Sequence, residues 1–425
     1  MESSVNRRLN AVSSHLLQPS EPNSLLHQVF LRGGQLQKQE EEAEPVIVGG
    51  MVLDIHATPS VPANPRTTTP GKVHYVLGGV ARNVAECMSK LGAKPYMISA
   101  VGLDMPGNLL LEHWKSTGLS TEVGIRRQQD INTAVVCNIL DANGELAAAV
   151  ASVEAIEKYL TPEWIHPFKC NISSAPVLMV DANLNPPALE ASCHMAAESN
   201  VPVWFEPVSV TKSRRIASVV KYITIASPNE DELVAMANAL SGENTFHPIS
   251  REKYSMETLF QMLKPAIWVL LEKGVKIVVV TLGPDGVFLC SKGRSKSMRI
   301  GPERTKTYGF SRTLYDIVTS SCPSSSYSGA TQPEGGSQFF AMHFPALPAS
   351  VVRLTGAGDC LVGGTIASIC AGLDFMQSVA VGIAASKAAV EAETNVPSEF
   401  SLTTIADDAK TVYVAAKVLF HQSML

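Results

Sequence analysis

The chain has 425 residues, of which 45% are hydrophobic and 17% are charged, and its formal net charge is −5. This length and composition are typical of a globular protein with a large buried core, and the lack of a basic excess argues against nucleic acid as a partner. No run reaches the roughly 18 apolar residues of a membrane span, so we predict no membrane partner. The cysteines and histidines show no metal-binding spacing, so we predict reduced thiols and no zinc site. The remaining expectation is a small-molecule ligand.

Residues 1–44 are polar, rich in Ser, Pro and Gln, and end in an acidic run, so they cannot form a packed core and we predict a disordered extension. Within it, Arg8-Leu9 is followed after five residues by His15-Leu16, which is similar to the R-L-x5-H-L nonapeptide that targets proteins to peroxisomes. This similarity implies a peroxisomal location and an import receptor as a partner. A chance match, a different transit peptide and a cytosolic location stay open. The C-terminal Ser423-Met424-Leu425 only faintly resembles the peroxisomal S-K-L signal.

From residue 45 onward, β-rich runs alternate with helical patterns in one predicted domain, 45–425. Strands are predicted at residues 46–55, 95–101, 177–181, 203–206, 222–226 and 276–282. Helices are predicted near residues 80–91, 108–116, 187–199, 231–240, 256–273, 361–371 and 375–391. This alternation indicates an α/β fold with a parallel sheet covered by helices on both faces.

Two segments interrupt the alternation. Residues 73–77, 133–140 and 146–151 predict strands of a small sheet, a lid over the ligand-binding edge whose strands lie within about 51–77 and 126–152. An exposed small sheet favours edge pairing, so we expect a homodimer through the lid. Residues 320–338 are rich in Ser, Gly and Pro and predict a flexible surface insertion, with an active-site flap as the alternative.

Two glycine motifs point to phosphoryl transfer. In Thr355-Gly356-Ala357-Gly358-Asp359, glycines let backbone N–H groups converge before a helix predicted to begin at Cys360, and Asp359 is placed as a base. A simple helix cap is the alternative for that carboxylate. Upstream, Gly78-Gly79-Val80-Ala81-Arg82-Asn83 leads into another helix, where the Asn83 amide can reach sugar hydroxyls.

Several motifs occur together in a fixed order. They are Gly49 through Asp54, Gly78-Gly79 with Asn83, Val101-Gly102-x-Asp104-x-x-Gly107, Asn229-x-x-Glu232, Thr281-Leu282-Gly283-x-x-Gly286 and Gly356-Ala357-Gly358-Asp359. On these motifs the chain resembles the PfkB (ribokinase-like) family of carbohydrate and nucleoside kinases over residues 45–420. The resemblance implies a three-layer αβα domain with a mostly parallel central sheet and a small β-sheet lid.

Within that family the run from Gly79 to Glu86 is most similar to the plant-type pseudouridine kinase subgroup, in which an Arg precedes the sugar-binding Asn. The subgroup implies transfer of the γ-phosphoryl group of ATP to the ribose 5′-hydroxyl of pseudouridine, giving pseudouridine 5′-phosphate and ADP in nucleoside catabolism. Another sugar or nucleoside kinase, such as a ribokinase or fructokinase, and a catalytically silent scaffold are the alternatives.

The resemblance also implies roles for individual residues. Asp359 is the base, and the amides of Gly356, Ala357 and Gly358 form the anion hole. Asp54, Gly78, Gly79 and Asn83 hold the ribose, with Asn183 as a further sugar contact. Asn229 and Glu232 organise Mg²⁺ around the ATP phosphates, although both also suit a helix N-terminus, and the nucleotide is lined by Thr281, Gly283, Gly286, Gly356 and Gly358.

Two questions stay open in the sequence. Reading the free N1–H of a C-linked uracil needs polar groups, for which Lys72, His74 and Thr133 in the lid are candidates with a structural role as the alternative. Relatives commonly have D-T-T-G-A-G-D, where the first Asp helps to bind a monovalent cation. Here Arg353 and Leu354 replace the first two residues of that pattern, which puts such a cation site in doubt.

Overall fold

The computed structural model describes residues 44–62, 66–119, 124–141, 146–242, 244–250, 254–292, 310–323 and 338–423. The predicted N-terminal extension with Arg8 and His15, most of the predicted 320–338 insertion and Met424-Leu425 lie outside these ranges. The predictions made for those segments therefore stay predictions.

The strands and helices of the described ranges have the following bounds. The strands are β1 Val46–Val48, β2 Val52–Pro59, β3 Gly71–Gly78, β4 Tyr96–Gly102, β5 Ile125–Gln128, β6 Ala134–Leu140, β7 Leu146–Ser152, β8 Leu178–Asp181, β9 Val203–Glu206, β10 Ile225–Ala226, β11 Ile277–Thr281, β12 Val287–Lys292, β13 Gln338–Phe344 and β14 Lys417–Ser423. The helices are α1 Val80–Lys90, α2 Met105–Ser116, α3 Glu154–Tyr159, α4 Pro162–Ile165, α5 Lys169–Ser174, α6 Pro186–Glu198, α7 Val210–Ser213, α8 Ile216–Val219, α9 Glu230–Ser241, α10 Met256–Glu272, α11 Phe310–Ser321, α12 Ala357–Cys370, α13 Phe375–Val390 and α14 Leu402–Ala415.

A ten-stranded sheet forms the centre of the protein, in the order β14-β13-β12-β11-β10-β9-β8-β1-β4-β5. Its strands are parallel from β5 to β11, while β12, β13 and β14 continue it as an antiparallel edge. The central strands are short, continuous apolar runs, as expected for strands covered on both faces. The predicted mostly parallel sheet is confirmed, but its strands β5, β12, β13 and β14 were not predicted.

Hydrophobic side chains pack on both faces of this sheet. In β1, Ile47 points into one core, together with residues of α1, α12, α13 and α14. Its neighbours Val46 and Val48 point into the other core, together with residues of α6, α9 and α10. Alternate residues of a strand face opposite sides, so one strand serves both cores. The three-layer αβα arrangement is thereby confirmed. No helix in the described ranges is long and apolar enough to cross a membrane.

A four-stranded lid sheet has the order β3-β2-β6-β7. The prediction of one strand over residues 46–55 is wrong, because β1 belongs to the central sheet and β2 to the lid. The chain changes sheet at Gly49, where a Cβ would lie 2.3 Å from Asp181 Oδ2, so only glycine fits beside that carboxylate. Residues 46–53 are all buried, so their hydrophobicity carries no sign of the change.

The register of the lid gives it two different faces. Asp54 pairs with Val76 and Val136, and His56 pairs with His74 and Asn138, so these six residues share one face. The opposite face is apolar and includes Val73, Tyr75, Ile139 and Val150, which are 59%, 58%, 44% and 70% exposed. The polar face carries Asp54, which was predicted to bind sugar. We therefore call the polar face the inner face of the lid and the apolar one its outer face.

Candidate active site

The N-terminus of α12 carries the predicted base. The helix begins at Ala357, after Gly356 in a left-handed conformation with φ of 89°, so the prediction that it begins at Cys360 is wrong. The first intrahelical bond runs from Cys360 N–H to Gly356 O at 2.9 Å, which leaves the four preceding amides without helical partners. Of these, the Ala357 N–H donates to Leu354 O at 3.3 Å. Asp359 therefore lies within the first helical turn, among free amides.

The space in front of this turn is open at one glycine and closed at the other. A Cβ at Gly358 would meet no atom within 4 Å, whereas a Cβ at Gly356 would lie 2.1 Å from Asn395 O. Gly356 is thus required by the backbone, while Gly358 borders empty space. An anionic group can approach the helix N-terminus at Gly358.

The two glycine motifs meet through a side-chain hydrogen bond. Gly79 precedes α1 with φ of 95°, and a Cβ there would lie 2.4 Å from Gly50 O. This close packing fixes the start of α1 against the turn between β1 and β2. The contact of α1 with α12 is close at Gly363, where a Cβ would lie 2.8 Å from both Cys87 Cβ and Val84 O. Between the same two helices, Asn83 Nδ2 donates to Asp359 Oδ2 at 2.6 Å. The predicted sugar-binding amide and the predicted base therefore contact each other directly.

A buried network of charged side chains contacts the Asn83 amide on the side away from Asp359. Arg82 is only 2% exposed and donates to Asn83 Oδ1 from Nη2 at 2.7 Å and from Nε at 3.2 Å. Its Nη1 lies 2.8 Å from Glu86 Oε2, and the Oε1 of the same carboxylate contacts Lys90 and His113 at 2.6 and 2.9 Å. Because the guanidinium occupies the amide oxygen, the amide nitrogen must point toward Asp359. The sequence marked Arg82 only as a subgroup feature, and this orienting contact was not predicted.

The acidity of Asp359 is tuned by its surroundings. Burial raises the pKa of Asp359 to about 6, the hydrogen bond from Asn83 and the charge of Arg82 lower it, and the charges of Asp181 and Asp54 raise it. A carboxylate whose pKa lies close to neutral pH is well suited to accept a proton during a reaction. Asp359 is therefore suited to act as a general base beside the free amides at the start of α12.

Asp54 lies at the junction of the lid and the glycine motif. Its Oδ2 would be 2.2 Å from a Cβ at Gly78, so glycine is needed where β3 passes the carboxylate. Burial raises the pKa of Asp54 to about 6, while a hydrogen bond from Asn395 and the charges of Arg82 and Arg353 lower it. The structure thus brings together Asp54, Gly78, Gly79, Asn83 and Asp359. No sequence motif pointed to Asn395.

Asn183 lies in the turn after β8, beside Asp181. The Asp181 carboxylate accepts hydrogen bonds from Gly50 N at 2.9 Å and from Asn183 N at 3.0 Å. The Asn183 amide oxygen accepts from Lys212 Nζ at 2.6 Å, so that oxygen already has a partner. The structure gives Asn183 a role in holding the strand ends together, and its sugar contact stays a prediction.

The predicted nucleotide-side residues gather at the end of β11. Asn229 and Glu232 form a reciprocal capping box at the start of α9, in which Glu232 N donates to Asn229 Oδ1 and Asn229 N donates to Glu232 Oε2, both at 2.9 Å. Asn229 also pairs with Thr281 as an isolated parallel bridge. The short turn Gly283–Asp285 follows, and Gly286 has φ of 95°. The capping alternative for Asn229 and Glu232 is therefore realised, and a metal role stays a prediction.

Glu206 is a partly buried acid that the sequence reasoning missed. It ends β9, and Ser227 Oγ donates to its Oε2. Burial raises the pKa of Glu206 well above its usual range, and the charges of Glu232, Asp359 and Asp181 add to the rise. Glu206 thus interacts with both the predicted base and the nucleotide side. Acidic residues ending neighbouring parallel strands are a signal that could have identified it.

The lid candidates for base recognition differ in their surroundings. The Thr133 hydroxyl and amide both donate to Asp104, and Gly102 N donates to the Thr133 hydroxyl, so Thr133 connects the lid to the N-terminus of α2. Lys72 and His74 lie on the inner face of the lid and are exposed. Thr133 therefore has the structural role that was its alternative.

Comparisons with known proteins agree with this geometry. Residues 43–307 match the family model described as pfkB family carbohydrate kinase. The chain is 56% identical over 386 residues to the pseudouridine kinase of Arabidopsis thaliana, covering 90% of this chain and all of that protein. It is 26% identical over 354 residues to the pseudouridine kinase of Escherichia coli (strain K12), covering 83% and 92%. The solved structure of Arabidopsis thaliana ribokinase complexed with ribose and ATP has a TM-score of 0.64 at 18% identity, covering 87% and 99%, and confirms the ribokinase-like fold.

Proposed function

The chain belongs to the pfkB family of carbohydrate kinases, and on that premise we propose that it is a pseudouridine kinase that uses ATP. The observation that supports the chemistry is the 2.6 Å hydrogen bond from Asn83 to Asp359, which joins the amide proposed to bind the sugar to the carboxylate proposed as the base. The observation that carries the substrate is the 56% identity to a pseudouridine kinase over that protein's whole length.

In the proposed reaction, Asp359 accepts the proton of the ribose 5′-hydroxyl. The 5′-oxygen forms a bond to the γ-phosphorus as the bond from that phosphorus to the β–γ bridging oxygen breaks, so ADP leaves with the bonding electrons. The free amides of Gly356 and Gly358 stabilise the negative charge that builds on the transferring group. Asp54 and Asn83 hold the ribose hydroxyls, which fixes the 5′-hydroxyl near Asp359.

We also propose Mg²⁺ as the metal at the ATP phosphates. The part of the chain that the structure describes has no group of three or more His, Cys, Asp or Glu side chains that could hold a metal ion. Mg²⁺ commonly keeps several water ligands and binds through one or two carboxylates and the substrate phosphates. Asn229 and Glu232 each use one oxygen in the capping box, and the remaining carboxylate oxygen of Glu232 can bind metal-coordinated water. The ion would neutralise phosphate charge.

The test is ADP release with Mg-ATP against pseudouridine, uridine, adenosine, ribose and fructose, with Asp359→Asn as the matched variant. We expect preference for pseudouridine and a loss of kcat of about 10² to 10⁴ in the variant. Preference for ribose or fructose would replace the substrate and retain the mechanism. An unchanged rate in Asp359→Asn would refute the base, and no turnover with any acceptor would favour the scaffold alternative.

We propose that the protein is a homodimer through the lid. The outer face of the lid exposes Val73 and Tyr75 on β3, Ile139 on β6 and Val150 on β7. An apolar sheet face of this kind is typical of a protein contact, so we propose this face as the contact in place of the edge pairing expected from the sequence. Light scattering should give twice the chain mass for the protein and the single mass for Tyr75→Glu. A wild-type monomer at micromolar concentration would refute the dimer.

We propose a peroxisomal location from the motif Arg8-Leu9 and His15-Leu16. Residues 1–44 fused to a fluorescent reporter should give puncta that coincide with a peroxisomal marker. Exchanging Arg8 and His15 for alanine should leave a diffuse cytosolic signal. Puncta that persist after the exchange would show that the motif does not direct import.

A further inference from the structure

The inner face of the lid continues outward from Asp54 to a second pair of polar side chains, His56 and Asn138. His56 follows Asp54 by two residues on β2, so both point to the same side, about 7 Å apart along the strand. Asn138 is the direct partner of His56 on β6. A base attached to a ribose at Asp54 can span this distance and reach His56 and Asn138.

The side chains of His56 and Asn138 contact each other over a long distance and can still form hydrogen bonds with a ligand. Asn138 Nδ2 and His56 Nε2 are 3.5 Å apart, at the limit of a hydrogen bond, and both residues are partly buried. A ligand group placed between them can replace this long contact with shorter ones. The Asn138 amide offers an oxygen acceptor beside its nitrogen donor, and a neutral imidazole offers one nitrogen acceptor.

Arg353 supplies a third polar group on the same side. In the described ranges, its Nη1 is buried without a hydrogen-bond partner, which is costly unless a ligand provides the acceptor. Its charge acts on both Asp54 and His56, so the guanidinium lies near the inner face of the lid. Burial lowers the pKa of His56, and the charges of Arg353 and His74 lower it further, which keeps the imidazole neutral.

A C-linked uracil and an N-linked uracil differ in what they show to this face. When the sugar is bonded to C5, the far edge of the ring shows the N1–H donor next to the C2 carbonyl acceptor. When the sugar is bonded to N1, a C–H stands in place of that donor, next to a carbonyl. A hydrogen-bond acceptor of the protein that lies beside a donor of the protein therefore favours the C-linked ring, because the N-linked ring leaves the protein's acceptor unpaired.

Resting on the proposed function, we propose that His56 and Asn138 provide the acceptor for the N1–H of pseudouridine and that Arg353 donates to the neighbouring carbonyl. His56 and Asn138 then set the preference for pseudouridine over uridine. Arg353 binds both nucleosides, since each has a carbonyl at that position. This assignment differs from Lys72, His74 and Thr133, the residues predicted from the sequence.

The test compares kcat/KM for pseudouridine, 1-methylpseudouridine and uridine in His56→Phe, Asn138→Leu and Arg353→Leu. The matched controls are Ile55→Val and Cys137→Ala, the adjacent residues on the outer face. In the wild type, methylation of N1 should cost about tenfold or more. His56→Phe and Asn138→Leu should lose a similar factor for pseudouridine alone, so the preference over uridine collapses. Arg353→Leu should lower both nucleosides alike, and the controls should keep the wild-type preference.

Two results would overturn the inference without touching the proposed function. One is a wild type that phosphorylates pseudouridine and 1-methylpseudouridine equally well. The other is wild-type preference retained in both His56→Phe and Asn138→Leu, measured on variants whose thermal unfolding matches the wild type. A wild type that does not phosphorylate pseudouridine refutes the proposed function itself, and this is visible before any variant is compared.

Discussion

Replacing Arg82 by Gln removes the charge next to the hydrogen-bonded pair Asn83 and Asp359, while keeping a side chain that can form hydrogen bonds. The path from Arg82 to Asp359 runs through the Asn83 amide, with hydrogen bonds of 2.7 and 2.6 Å on its two sides. The charges of Arg82 and Asp359 are therefore about 7 Å apart, which at an effective dielectric constant of about 20 is worth about 2 kcal/mol, or between one and two pKa units.

The direction of the expected change in the pH profile follows from the proposed role of Asp359 as a base. The base works only when it is deprotonated, and the charge of Arg82 lowers the pKa of Asp359, which burial has raised to about 6. Without that charge the pKa should rise to between about 7 and 8. The deprotonated fraction at pH 7 then falls from about nine-tenths to about a half or less. Activity should be regained in alkaline buffer.

The assay is kcat/KM for the nucleoside from pH 5.5 to 9 at saturating Mg-ATP. Arg82→Lys retains the charge but loses the paired bonds to Asn83 Oδ1, so it should keep the acid limb of the profile while lowering its plateau. Lys90→Gln is the control, because it removes a cation that contacts Glu86 but not Asn83. If Arg82→Gln folds and its acid limb stays at the wild-type pH, the electrostatic reasoning is refuted.

The other predictions concern the glycine turn, the ribose site and the acid between the sites. Gly356→Ala should lower Tm, because the φ of Gly356 is 89° and a Cβ there would meet Asn395 O. Gly358→Ala should keep Tm and lower kcat, because its Cβ would obstruct the open space in front of the free amides. Equal losses of Tm in the two variants would refute this contrast. Asp54→Asn should raise the nucleoside KM about tenfold or more with kcat less affected, and an unchanged KM would remove Asp54 from the ribose site. In the folded protein the raised pKa keeps Glu206 protonated, whereas in the unfolded chain Glu206 loses its proton above its usual pKa of 4.5. Deprotonation therefore favours the unfolded chain, and Glu206 lowers the free energy of unfolding as the pH rises above 4.5. Glu206→Gln without metal should therefore gain Tm over the wild type progressively from pH 5 to 8, and a pH-independent difference would contradict the raised pKa.

The two glycine turns that carry Asn83 and Asp359 could be predicted from the sequence, because the backbone constraints at each turn are local. Gly79 and Gly356 precede helices whose apolar spacing is readable, and Asn83 and Asp359 stand at fixed offsets from them. That the two side chains meet follows from the packing of α1 on α12, which no local pattern encodes. The resemblance to a family implied a role for each residue but not the contact between them.

Other parts of the site depend on pairing between distant strands. His56 and Asn138 share a face only because β2 pairs in parallel with β6. Residues 46–53 are six apolar residues and two glycines, all buried, and the sequence reasoning took them as part of one strand rather than two. Asn395 belongs to no motif and reaches Asp54 from the loop between α13 and α14. Long-range register and loop placement are therefore what the sequence reasoning could not supply.

The bond between Asn83 and Asp359 joins residues that are 276 positions apart, and this separation has a consequence for biosynthesis. At roughly 5 to 20 residues per second, the ribosome completes Asp359 about 15 to 55 s after Asn83. During that interval the first half of the nascent chain exposes the face of α1 that α12 will cover, including Cys87, which later donates to Cys360 O. A chain released before α12 emerges lacks Asp359 and keeps that face of α1 exposed.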